Sequence, residues 1–148
     1  MEKIEWSDKF SVGNSVLDEQ HKQLIGMINL LVEFSNDSSV SESITKTLKK
    51  ITQYAATHFE DEEKIMIERS YSDYIRHSAQ HTSFIMKTTS VHSMNIMSDD
   101  DMSITIVEYL REWLTDHILE EDMKYKQFYK DIESLDKGIA LQSTSSSN

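Results

Sequence analysis

Five of the six histidines fall on apolar stripes at helical spacing: His21, His58, His77, His81 and His117, with Glu62 beside them. Each stands where Leu or Ile would ordinarily sit. A single histidine on such a stripe is most often a core residue with a hydrogen-bond partner. Five imidazoles and a carboxylate, with at least one on every stripe, are a different case. Burying them without partners costs on the order of several kcal/mol in lost solvation. A metal ion removes that cost by taking the lone pairs directly, and neutral imidazole is the commonest metal ligand. Spacing supports this chemistry. His58 and Glu62 are four residues apart, as are His77 and His81. On a helix each pair is offset by only about 40°, so both side chains reach one point beside it.

Ligand count and type narrow the metal. A lone zinc takes about four ligands, fewer than this set offers. The set suits two metals sharing carboxylates. Nitrogen and oxygen donors without thiolate favour iron over manganese or zinc. The helical zinc-protease pattern is absent, because His77 is followed by Ser78. The ferritin-like Glu-x-x-His pattern is absent too; only Asp18 precedes a histidine, His21, at that spacing. The carboxylate that completes the last stripe stays open. Glu121 lies four residues after His117, one helical turn away. Asp122 lies five after it, about 140° around an ideal helix.

The elements that must hold these residues read as four helices. They span about Leu17 to Phe34, Ser41 to Ser70, Ser72 to Val91 and Met102 to Ile132. Polar segments at 35–39 and 93–101 separate them. Short connections between long helices imply antiparallel neighbours, hence an all-α, up-down-up-down four-helix bundle. Residues 1–16 do not follow the helical period; Trp6, Phe10 and Val12 read as an extended N-terminal arm packed on the bundle. The bundle is expected over 17–135 and a disordered tail over 136–148.

Composition agrees. The chain has 148 residues, no proline, no cysteine and three glycines. Average usage would give about 7 Pro and about 10 Gly, so a turn-rich β fold is disfavoured. Absent cysteine excludes disulfides, thiolate metal sites and a thiol nucleophile. A net charge of −11 is a poor match to nucleic acid or anionic lipid. No apolar run approaches the length of a membrane span. The charged N-terminus has no signal-peptide core, so a cytoplasmic protein is expected.

The ordered motifs carry a resemblance. Asp18-x-Gln20-His21, His58-Phe59-x-x-Glu62-Glu63-x-x-Met66, His77-x-x-x-His81 and Trp113-Leu114-x-x-His117-Ile118-x-x-x-Asp122 resemble the hemerythrin family, specifically its single-domain bacterial-type members. The resemblance implies that His77, His81 and His117 ligate one iron and His21 and His58 the other. It implies bridging by Glu62, Asp122 and an oxo or hydroxo group. It assigns Asp122, not Glu121, as the carboxylate. It further implies reversible dioxygen binding for carriage, storage or delivery, not enzymatic turnover. The partners would be dioxygen and an oxygen-using enzyme or redox partner. An O₂ or redox sensor, or a di-iron oxidase, peroxidase or nitric-oxide-processing protein, is the alternative. Trp113, Leu114, Ile118, Leu24 and Ile25 are expected to line an apolar dioxygen pocket. Glu60 and Glu63 read as solvated charges, Asp18 and Gln20 as supports of His21, and Tyr54 and Tyr109 as packing residues or hydrogen-bond donors behind the ligands. His92, about 16 Å along the axis from His81, reads as a helix-end residue outside the site.

Overall fold

The computed structural model describes residues 1–35, 41–93 and 100–145. These form α1 (Ser15–Phe34), α2 (Ser41–Glu68), α3 (Tyr74–Ser93), α4 (Asp100–Asp116), a π-helical turn (His117–Asp122) and α5 (Met123–Ser145). The last three run on as one long helix. α1 packs on α2 and α4, and α2 packs on α3. The result is the expected four-helix bundle, with no strand among the described residues.

Local chemistry sets the boundaries. Asn14 caps α1 by accepting hydrogen bonds from the backbone N–H of Val16 (3.0 Å) and Leu17 (3.2 Å). Gly13 turns into that cap at φ 80°, a conformation that glycine adopts without steric cost. α1 therefore starts at Ser15, before the Leu17 read from its stripe. α2 ends with Ser70 in the left-handed region at φ 55°. The Tyr71 N–H reaches the Met66 carbonyl at 2.9 Å and the Ser70 N–H reaches that of Ile67 at 3.1 Å. This double closure normally uses glycine; here a serine makes the turn.

The N-terminal arm is tied down at two points. The Asn29 side chain accepts from the Ile4 N–H at 2.8 Å and donates to its carbonyl at 2.9 Å. Asp18 accepts from Ser11 Oγ at 2.6 Å and from the Val12 N–H at 2.8 Å. Asp18 thus anchors the arm. Between these points the arm makes one 3₁₀ turn, Asp8–Phe10, and buries Phe10 and Val12.

At the other terminus the helix runs through Ser145, so residues 136–145 are helical where a disordered tail was expected. The segment contains no proline and continues a packed helix, so it avoids the nucleation cost of an isolated one. Leu135 just before it and Ile139 and Leu141 on it are exposed. The polar segments at 35–39 and 93–101 lie largely outside the described residues. Among those described, no helix is long and apolar enough to cross a membrane.

The core is layered. Ile28, Leu31, Leu48, Ile51, Val107 and Leu110 form a buried aliphatic half. His21 lies near the start of α1, His58 and Glu62 in the second half of α2, His77 and His81 at the start of α3, and His117 and Asp122 beyond α4. Only alternating helix directions put those four regions in one layer. The buried polar residues therefore form the other half of the same core.

Candidate metal centre

All seven residues singled out by the motifs are buried, none more than 5 % exposed. Their ligating atoms form two groups. One holds Glu62, His77, His81 and His117; the other holds His21, His58 and Glu62, each with its atoms within 4.8 Å of one another. Glu62 belongs to both. Asp122 also spans them. Its Oδ1 lies 3.2 Å from His117 Nε2 and 3.4 Å from His77 Nε2, and its Oδ2 lies 3.4 Å from His21 Nε2. Glu62 Oε2 lies 3.3 Å from His77 Nε2 and 3.2 Å from His81 Nε2.

Asp122 reaches the cluster because the helix widens there. A π-helix bonds residue i to i+5, so a five-residue step comes round to nearly one face. The turn covers His117–Asp122, the step that spacing on a regular helix left open. Glu121 turns outward. It accepts from Arg76 Nη2 at 2.6 Å and Lys124 Nζ at 2.8 Å. Burial pushes its carboxyl up, but these two cations override that and hold it at about 2.

The histidines are aimed by partners on their outer side. Gln20 Oε1 accepts from His58 Nδ1 at 2.8 Å, Glu63 Oε1 from His81 Nδ1 at 2.8 Å, and Gln80 Oε1 from His117 Nδ1 at 3.0 Å. An oxygen acceptor fixes the proton on Nδ1 and leaves a lone pair on Nε2. His81 and His117 consequently face each other with two Nε2 lone pairs 3.0 Å apart. A cation suits that arrangement. Nε2 of His21 and both oxygens of Asp122 likewise meet in the cluster, buried and without hydrogen-bond partners.

The protonation pattern agrees. Burial, reinforced by the His58 charge, brings His21 down to about 3. Burial also lowers His58 and, together with the His81 charge, brings His117 well below its ordinary value. These rings stay neutral and ready to ligate. His77 differs: burial pulls it down, but the Asp122 and Glu62 carboxylates against its Nε2 lift it to about 9. Burial and the Glu62 charge push Asp122 well up. Burial also acts to raise Glu62, but the imidazoles of His77 and His81 against its Oε2 bring it well below the usual carboxylate range. Without metal, the cluster keeps protons where a metal would displace them.

Several sequence expectations change here. Gln20 supports His58, not His21, and donates to Asp61 at 2.7 Å. Glu63 is not a free surface charge, because it orients His81. Glu60 is exposed. Tyr125 donates to Glu62 Oε1 at 2.7 Å. Gln80 was not singled out. The three orienting residues share a signal: each is next in sequence to a cluster residue, His21, Glu62 or His81, and serves a histidine on the following helix. Tyr54 and Tyr109 pack, and Lys87 lies over the Tyr109 ring at 3.6 Å. Leu24, Ile25, Leu114 and Ile118 are buried. Trp113 is half-buried and stacks on His117 at 4.4 Å, while Phe59 stacks on His81 at 3.9 Å. The His92 side chain lies outside the described residues.

Comparison with known proteins gives a consistent likeness. The family profile described as Hemerythrin HHE cation binding domain matches residues 12–129. The chain is 31 % identical over 121 residues to a hemerythrin-like protein of Naegleria gruberi, covering 82 % of this chain and 89 % of that one. It is 30 % identical over 124 residues to a bacteriohemerythrin of Clostridium acetobutylicum, covering 81 % of this chain and 96 % of that one. A crystal structure of wild-type hemerythrin superposes with a TM-score of 0.73 at 24 % identity, covering 84 % and 95 % of the two chains.

Proposed function

This chain belongs to the hemerythrin HHE cation-binding family, and on that premise we propose that it binds dioxygen reversibly at two iron ions. The observation that carries the reading is the pair of donor groups joined by Glu62, with Asp122 oxygens directed to both. His77, His81 and His117 would hold one iron and His21 and His58 the other, with Glu62 and Asp122 between them. The first group offers one more imidazole than the second, so a small ligand would find room beside His21 and His58. The irons, when bound, supply the electrons that dioxygen accepts and returns.

The protein's own part is to keep that exchange reversible. Gln20, Glu63 and Gln80 hold the imidazoles in the ligating tautomer. Tyr125 fixes the Glu62 carboxylate through the oxygen that faces away from His77 and His81. Leu24, Ile25, Leu114 and Ile118 are buried aliphatic side chains with no proton to exchange, and the Trp113 ring covers His117. General acid–base turnover needs a proton-exchanging group within hydrogen-bond reach. The aliphatic side chains supply none, and the Tyr125 hydroxyl is engaged by Glu62, which supports a carrier or store over an oxidase or peroxidase.

The test is anaerobic loading with ferrous iron, metal analysis, and optical spectroscopy through cycles of air and vacuum. Two irons per chain and a visible band that appears in air and leaves under vacuum are expected. A single iron per chain, or a band that never reverses, overturns the reading.

A further inference from the structure

The chain is acidic overall, yet one cleft gathers cations. It has a volume of about 200 Å³, and Arg69, Lys126 and Lys130 line it against a single acid, Glu133. Its walls come from the N-terminal arm, the start of α1, the end of α2 and α5. Arg69 lies over the Tyr129 ring at 4.9 Å and comes no closer to Glu133 than 3.6 Å. Lys126 gives one hydrogen bond, to the Ser11 carbonyl at 2.6 Å. Among the described residues Lys130 has no ion-pair partner. Gly13 forms the arm side of the cleft beside the Lys126 stem.

The inner surface is apolar and lies against the metal centre. Leu17, Ile65 and the Tyr125 ring form it. Leu17 is four residues before His21, Ile65 three after Glu62, and Tyr125 three after Asp122. Each is therefore one helical turn from a residue of the centre on its own element. Tyr125 crosses that turn, since its hydroxyl donates to Glu62 Oε1.

We propose that this cleft binds a small organic carboxylate and couples its occupancy to the metal centre through Tyr125. The volume equals the share of about six or seven waters, at ~30 Å³ each. It is smaller than drug-sized pockets and suits an acid of a few carbons. Three cations recognise the carboxylate ends, and the apolar inner wall takes the carbon body. A carboxylate seated beside Tyr125 acts on its hydrogen bond to Glu62. Coupling of this kind is reciprocal, so metal and anion change each other's affinity by the same factor. The coupling, unlike the site, rests on the metal-binding reading above.

Titration calorimetry with succinate, sulfate and neutral succinamide tests the site, using metal-free and metal-loaded protein. Succinate is expected to saturate in both forms, sulfate to bind more weakly and succinamide not to bind. Arg69→Gln and Lys130→Gln are each expected to weaken succinate about tenfold, the value of one charge-assisted contact. The Arg69 side chain is 51 % exposed, so that variant keeps its fold, checked by circular dichroism. Absent saturation, unchanged affinity in both variants, or sulfate binding as tightly as succinate overturns the site. Succinate affinity is expected to differ between the two forms of wild type and to be equal in Tyr125→Phe. Equal affinity in the two wild-type forms overturns the coupling and leaves the site standing. A protein that takes up no iron but binds succinate overturns the iron reading alone.

Discussion

At the scale of single residues, the imidazoles are aimed in a chain that runs round the bundle. Gln20 on α1 serves His58 on α2, Glu63 on α2 serves His81 on α3, and Gln80 on α3 serves His117 beyond α4. The buried histidine cluster was legible in the sequence because imidazole is out of place on an apolar stripe. Its orienting partners were not, because glutamine and glutamate at the edge of a stripe are what a solvated face ordinarily carries. What distinguishes them is a tertiary contact, and spacing along one helix cannot report that. Gln80→Leu tests the role. It removes the acceptor of His117 Nδ1, so metal affinity should fall about ten- to a hundredfold in a chelator competition. Glu60→Gln, at an exposed position on the same acidic stretch as Glu63, should leave it unchanged. Equal affinities in both variants and wild type would remove Gln80 from the site.

At the scale of elements, the π turn decides which carboxylate enters the core. The sequence displayed the conflict, a five-residue step where a regular helix wants four, without resolving it. Regular geometry favours Glu121; the wider turn turns Asp122 inward and sends Glu121 to Arg76 and Lys124. A π turn is one extra residue absorbed within a helix, so removing one residue there should restore a regular helix. Deleting Glu120 places Asp122 four positions after His117 and leaves the register of α5 unchanged. The variant should keep its helicity and its full metal content by metal analysis. Deleting the exposed Glu108 from regular α4 instead rotates one side of the helix by about 100° against the other, and metal should be lost. Loss of metal in both deletions would mean that the wide turn itself is required. The α2 end carries the same lesson in smaller form, since Ser70 takes a left-handed role that glycine-based reading assigns to no residue there.

For the whole molecule, stability should reside in the layer that holds the polar cluster, not in the length of the last helix. The sequence's shortage of proline and glycine made a helical bundle legible. It also misled at the C-terminus, where serine-rich composition suggested disorder while an unbroken helix continues to Ser145. That extension presents Leu135, Ile139 and Leu141 at 65 to 72 % exposure, so it gives up little apolar burial when removed. The cluster is the opposite case. His21 Nε2 and both Asp122 oxygens are fully buried and lack hydrogen-bond partners, a cost borne by the metal-free fold and relieved by a bound ion. At free metal a thousandfold above its dissociation constant, binding adds about 4 kcal/mol, or roughly 8–16 °C of unfolding midpoint for a domain of this size. Thermal unfolding followed by circular dichroism should therefore drop by that order on chelation. A chain ending at Ser134 should unfold within about 2 °C of full length, as expected when exposed side chains are removed. A truncation that costs as much as chelation would shift the weight of the fold from its polar layer to the protruding helix.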